Sequence, residues 1–152
     1  MRKVPRTDSP RRILLIDDSP IALKALRTVL GLYPDWDIVG EAENGPDGLK
    51  FFQQQNPDVV IVDFQMPGMS GIEVGRQIRK SAAEVLLILF TLHVGVELER
   101  MAAEAGFDVV LSKSAPYPIV AIIDKMRADG PRAARQAHAD SDAGEKAGSR
   151  AR

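Results

Sequence analysis

Residues 59–62 read Val-Val-Ile-Val and stop on an acid, Asp63, after which Met66-Pro67-Gly68-Met69-Ser70-Gly71 breaks the chain. A strand with one wet face alternates apolar and polar residues. One that is apolar at every position must be covered on both faces, which points to a parallel sheet between two helical layers. Asp63 then stands at the carboxyl end of a central strand, the edge of an open α/β sheet where ligands bind. Taken alone, this acid could merely stop the strand and cap the next turn. A second run weighs against that: residues 13–16, Ile-Leu-Leu-Ile, end in Asp17 and Asp18, so two buried strands would deliver three carboxylates to one crevice.

Strand and helix signals alternate along the rest of the chain. Ser19 and Pro20 start a helix in which Ile21, Leu23, Leu26, Val29 and Leu30 recur at helical spacing as far as Gly31. A short strand at Ile38 and Val39 closes on Glu41, Asn44-Gly45-Pro46 reads as a turn, and Leu49, Phe51 and Phe52 carry a second helix that Asn56-Pro57 stops. Beyond Asp63, Ser70 and Glu73 stand in capping-box spacing ahead of a third helix with Ile72 and Ile78. Arg76, Arg79 and Lys80 read as its solvated face. Residues 85–90 form another apolar run, ending on Thr91, and Val96, Leu98, Met101, Ala102 and Ala105 form a fourth helix closed by Gly106. Residues 109–111 make the last strand, followed by Ser112 and Lys113, and Ile119, Ile122, Ile123 and Met126 repeat as a fifth helix. The alternation predicts right-handed crossovers and a parallel sheet with helices on both faces.

The two ends read differently. Residues 1–10 are basic and aperiodic, a flexible arm; residues 129–152 are rich in Ala, Gly, Ser, Arg and Asp without an apolar period, a disordered tail in which His138 is solvated. Residues 11–128 are left as one domain. A net charge of -1 gives no global electrostatic case for nucleic acid or an anionic membrane. The absence of cysteine excludes disulfides and thiolate metal sites. No stretch reads as a signal peptide or a membrane span, so a cytoplasmic location is expected.

Clustered carboxylates repel and raise one another's pKa unless a cation sits among them. A hard divalent ion with oxygen ligands is the economical partner. Thr91 and Lys113, at the ends of two further strands, add a hydroxyl and an ammonium. Together the set suits a dianionic phosphoryl group: cation and lysine neutralise its oxygens while the hydroxyl donates a directional hydrogen bond. Asp63, on the central strand, is the candidate nucleophile, which would form an aspartyl phosphate, with Asp17 and Asp18 as holders of Mg2+.

Asp17-Asp18 after the first strand, Asp63-Phe64-Gln65-Met66-Pro67-Gly68-Met69-Ser70-Gly71, Thr91 and Lys113 stand in an order and spacing that resembles the receiver domain of bacterial two-component response regulators, over residues 11 to 128. The resemblance implies a flavodoxin-like (βα)5 three-layer sandwich with strand order 2-1-3-4-5. It implies that Asp63 accepts a phosphoryl group from a sensor histidine kinase or a histidine phosphotransfer protein. Asp18, Asp63 and the main-chain carbonyl of Gln65 would ligate Mg2+ directly, and Asp17 through water. Thr91 and Lys113 would bind phosphoryl oxygens, Gln65 and His93 would tune hydrolysis, and the face formed by the fourth helix, fifth strand and fifth helix would carry the signal.

Three positions depart from the pattern. Val110 occupies a switch position that is often aromatic, bulky Leu92 stands where a small residue is common, and Ser114 follows Lys113 where proline is frequent. The expected role is a stand-alone, non-enzymatic receiver acting through an unknown downstream protein, without direct DNA or membrane binding. The wording VGEAENG and MPGMSGIEV resembles receivers fused to helix-turn-helix modules, so a shortened transcriptional regulator is the alternative. A phosphatase with an aspartate nucleophile would need a second Asp where Gln65 stands. A flavin phosphate would meet acids, not donors, in the first loop.

Overall fold

The computed structural model describes residues 11–116 and 118–129; the basic arm, the tail with His138 and the side chain of Met126 lie outside the described residues. Five strands, β1 (Arg11–Ile16), β2 (Trp36–Ala42), β3 (Val59–Asp63), β4 (Leu86–Thr91) and β5 (Val109–Ser112), alternate with α1 (Pro20–Leu30), α2 (Gly45–Gln55), α3 (Gly71–Ser81), α4 (Val96–Ala105) and α5 (Pro118–Asp129). All strand pairs are parallel and the order is β2-β1-β3-β4-β5. This is the flavodoxin-like three-layer sandwich. Ile13, Leu15, Val59 and Ile61 pack with Leu23, Leu26 and Leu30 of α1 and Ile119, Ile122 and Ile123 of α5. Leu14, Ile16, Val60 and Val62 pack on the other face with Phe52, Ile72, Val74, Ile78, Leu98 and Ala102 of α2, α3 and α4. The unbroken apolar run of β3 is thus divided residue by residue between two cores.

Local signals act where the residue chemistry requires. Ser19 accepts the Ala22 N–H at 3.3 Å at the head of α1, and Gly106 closes α4 at φ 101°, a backbone region that favours glycine. Other expectations are corrected. β1 begins at Arg11, two residues before its apolar run, because the Arg11 N–H donates to the Asp35 carbonyl at 2.8 Å and the Arg12 N–H to Asp58 at 2.9 Å. β2 is longer than Ile38 and Val39 suggest, since pairing to β1 carries it from Trp36 to Ala42. Asn44-Gly45-Pro46 is a helix start and not a free turn: Asn44 accepts the Asp47 N–H at 2.9 Å. The capping box is one-sided, because Ser70 accepts the Glu73 N–H at 3.3 Å while the Glu73 carboxylate turns to Arg76 and Gln77. α5 runs on through Asp129. Ile21 and Val96 are each 83% exposed and belong to no core stripe.

Arg79 is not part of a wet face. Its guanidinium donates to the carbonyls of Gly106 (2.8 Å), Ala82 (3.1 Å), Ala83 (2.9 Å) and Val85 (2.9 Å) and pairs with Asp108 at 2.8 Å. Asp108, its side chain 4% exposed, also accepts the Leu87 N–H at 3.0 Å. One side chain therefore ties the end of α3 to the starts of β4 and β5. Arg79→Ala should lower stability by about 3 kcal/mol, because it takes the cation from a buried carboxylate and the donor from four backbone carbonyls. Arg76→Ala, which loses only an exposed pair, should change it by less than about 0.5 kcal/mol. Urea unfolding of both variants checks the contrast.

Candidate functional site

The register sets the site. Ile16 pairs with Val62 and Asp63 with Phe90, so Asp17 and Asp63 leave neighbouring strands side by side. Thr91 is level with Ser112, which brings Lys113 to the same edge. Asp17, Asp18 and Asp63 each offer a carboxylate oxygen within 4.8 Å of the others. Asp17 and Asp63 are buried and Asp18 is exposed. The Lys113 Nζ lies 2.6 Å from Asp17 Oδ2 and 3.2 Å from Asp63 Oδ1, and 5.9 Å from the centre of the Phe90 ring. Asp17 Oδ1 accepts the Ser19 N–H at 2.9 Å, which fixes the loop into α1.

The electrostatics leave negative charge in excess. Burial, then the Asp17 charge beside it, pushes the Asp63 carboxyl up to about 6, against the opposing pull of Lys113. Burial draws the Lys113 ammonium down, but its hydrogen bond to Asp17 and the charges of Asp17 and Asp63 outweigh this and hold it raised. One lysine faces three carboxylates. An all-oxygen donor set with surplus negative charge, partly buried and open on the Asp18 side, fits a hard divalent cation such as Mg2+.

Asp18, Asp63, Gln65, Thr91 and Lys113 line one cavity of about 380 Å³. The structure therefore brings together the nucleophile, acid, hydroxyl and lysine candidates that the sequence placed on separate strand ends. His93 is exposed on the same rim, and its N–H donates to Thr91 Oγ1 at 3.5 Å. Val110 is half-buried and packs into the core on the α2, α3 and α4 side. No peptide bond among the described residues is cis, so Lys113-Ser114 is trans.

Two contributions were not visible in the sequence. Ile21, Ala22 and Ala25 of α1 give the cavity an apolar wall, which they share with Leu92, whose bulk already stood out in the sequence. Gly71, whose N–H donates to the Phe64 carbonyl at 2.8 Å, lets the start of α3 lie against the end of β3: a Cβ there would sit 1.9 Å from the Asp63 carbonyl oxygen. Its place in a glycine-containing loop was the only hint.

A family model described as the response regulator receiver domain matches residues 13–124. The response regulator UvrY of Escherichia coli is 36% identical over 112 residues, covering 73% of this chain and 51% of UvrY. The nitrate/nitrite response regulator protein NarL of Escherichia coli is 33% identical over 104 residues, covering 68% of this chain and 48% of NarL. The chain thus spans about half the length of these curated relatives. The crystal structure of a LuxR-family two-component response regulator from Aurantimonas superposes with a TM-score of 0.73 at 32% identity, covering 79% of this chain and 86% of that one.

Proposed function

Because the chain belongs to the response regulator receiver family of two-component signal transduction, we propose that Asp63 is its phosphoacceptor and that phosphorylation by a sensor histidine kinase or a histidine phosphotransfer protein is its input. An Asp63 carboxylate oxygen bonds to phosphorus, the P–N bond to the donor imidazole breaks, and its electron pair stays on the imidazole, which takes a proton from solvent. Lys113 passes from the two carboxylates to a phosphoryl oxygen, and the Thr91 hydroxyl donates to another. Mg2+ would be held by Asp18, Asp63 and the main-chain carbonyl of Gln65, with Asp17 acting through water; when bound it supplies neutralising charge to the phosphoryl oxygens. Gln65 and His93, both on the cavity rim, modulate access of water to the product.

The observation that carries this reading is the convergence of Asp63, Asp17 and Lys113 within ion-pair distance at one strand edge. Output runs through the surface of α4, β5 and α5 to a protein partner, without membrane contact. Among the described residues no helix is long and apolar enough to cross a membrane. The alternative is the receiver part of a shortened transcriptional regulator, and a gel shift with and without phosphorylation distinguishes the two.

Incubation with Mg2+ and acetyl phosphate tests the chemistry. A single phosphoryl addition that accumulates and outlasts removal of the donor supports a signalling receiver, whereas rapid steady release of inorganic phosphate with no accumulating adduct would instead mark an aspartate-nucleophile phosphatase. Mg2+ affinity should fall as pH drops below about 6, where Asp63 takes up a proton. Titration calorimetry at pH 7.5 and 5.0 measures it, and equal affinities would remove Asp63 from the ligand set.

A further inference from the structure

Lys113 reaches its acids across a neighbouring strand. It follows β5, at the edge of the sheet, whereas Asp63 ends β3 and β4 lies between them. Its main-chain N–H donates to the Thr91 carbonyl at 2.8 Å, which fixes its root beside β4. Phe90 stands on the path of the side chain. It is level with Asp63 on one side and with Leu111 on the other, and Phe90 and Leu111 share the core under α1 and α5. Residues two apart on a strand share a face, so Lys113 leaves on the side of Leu111 and crosses Phe90. Its ammonium ends over the Phe90 ring, 5.9 Å from the centre, within cation–π range. The ring is 5% exposed and the lysine side chain 13%, so water screens the contact little.

While the acids are free, their charges hold the ammonium, at 2.6 Å from Asp17 and 3.2 Å from Asp63. Once a divalent cation shares those carboxylates, their pull is neutralised and a like charge stands beside the lysine. A flexible stem then lets the ammonium leave for water. The face of an uncharged ring keeps its attraction throughout. We propose that Phe90 is a positioning residue, its ring face keeping the Lys113 ammonium inside the site when the acids hold a divalent cation, so that the lysine is already in place for a phosphoryl oxygen. This rests on the phosphoacceptor reading of Asp63. Phe90 acts only through Lys113: affinity for the phosphoryl group scales with the fraction of molecules whose lysine is in place.

The test separates the charge of the ring face from its packing. In the full chain, Phe90 is replaced by mono-, di- and trifluorophenylalanine, which nearly keep the ring's shape while draining negative charge from its face. Beryllofluoride, standing in for the phosphoryl group, is titrated by calorimetry in saturating Mg2+. Affinity should fall stepwise with fluorine count, by at least about threefold for the trifluoro ring, and Phe90→Leu should lose at least as much. A ring that only fills the core predicts unchanged affinity across the fluorinated series. That result, in a parent that binds beryllofluoride and is phosphorylated by acetyl phosphate, overturns the role of Phe90 and leaves the phosphoacceptor reading standing. If the parent neither binds beryllofluoride nor takes up a phosphoryl group, the phosphoacceptor reading fails and the positioning role falls with it.

Discussion

Asp63→Asn is expected to abolish phosphorylation by acetyl phosphate and, in the absence of Mg2+, to make the protein more stable. The first effect follows from the loss of the nucleophile: an amide oxygen at this position cannot form the acyl phosphate, and Asp17 is engaged by Lys113 at 2.6 Å and by the Ser19 N–H. The second follows from the raised pKa. In the folded protein Asp63 titrates at about 6, above its unfolded value, so between the two values the folded state holds the extra proton. Stability is therefore lost as pH rises through that window, and above about pH 6 the full penalty of a buried, repelled carboxylate is present. Asn removes it while leaving Lys113 paired with Asp17. The gain at pH 7.5 should be about 1–3 kcal/mol and should shrink as pH falls toward 4. Excess Mg2+ should narrow it, because cation binding stabilises only the parent's complete carboxylate set. Urea unfolding at the two pH values, with and without Mg2+, reads all three trends; a variant less stable than the parent at pH 7.5 without Mg2+ would contradict the electrostatic account.

Gly71→Ala should be the most damaging single methyl group in the domain. Its Cβ would lie 1.9 Å from the Asp63 carbonyl oxygen, 2.8 Å from the Asp63 carbonyl carbon and 3.0 Å from the Phe64 Cα. All three are backbone atoms of the strand end that presents the nucleophile, and none can rotate aside. α3 would have to retreat from β3 or carry Asp63 with it. A loss of about 3 kcal/mol or more is expected, with slower phosphorylation of whatever remains folded. Gly68→Ala, at φ +82° but with nothing within 4 Å, supplies the contrast: it should lose only about 1 kcal/mol through backbone strain. Equal stabilities for the two variants would show that close approach at Gly71 is not what limits the packing.

The framework was legible because its signals are local. An all-apolar run such as residues 59–62 has only one economical placement, and its terminal acid then falls on the carboxyl edge of the sheet. Asp17, Asp18, Thr91 and Lys113 could be assigned by the same logic, one strand at a time. What stayed hidden depends on residues distant in sequence. Arg79 looks like its neighbours Arg76 and Lys80, and only the folded arrangement brings Gly106 and Asp108 to its guanidinium. Ile21 shares the apolar character of Leu23 and Leu26 but points off their stripe, so apolarity alone assigned it to the core when it stands at the cavity mouth. Boundaries such as the start of β1 at Arg11 were set by hydrogen bonds to Asp35 and Asp58, which no hydrophobic pattern reports.

The central claim is that Asp63, with Thr91 and Lys113 beside it, is the one residue that takes up a phosphoryl group and does so only with a divalent cation. Peptide mass mapping after acetyl phosphate treatment, with the acyl phosphate trapped by borohydride reduction, measures this directly. The account predicts a single modified position, Asp63, present with Mg2+ and absent with a chelator. Modification at another carboxylate, undiminished labelling in the chelator, or no labelling at all would contradict it.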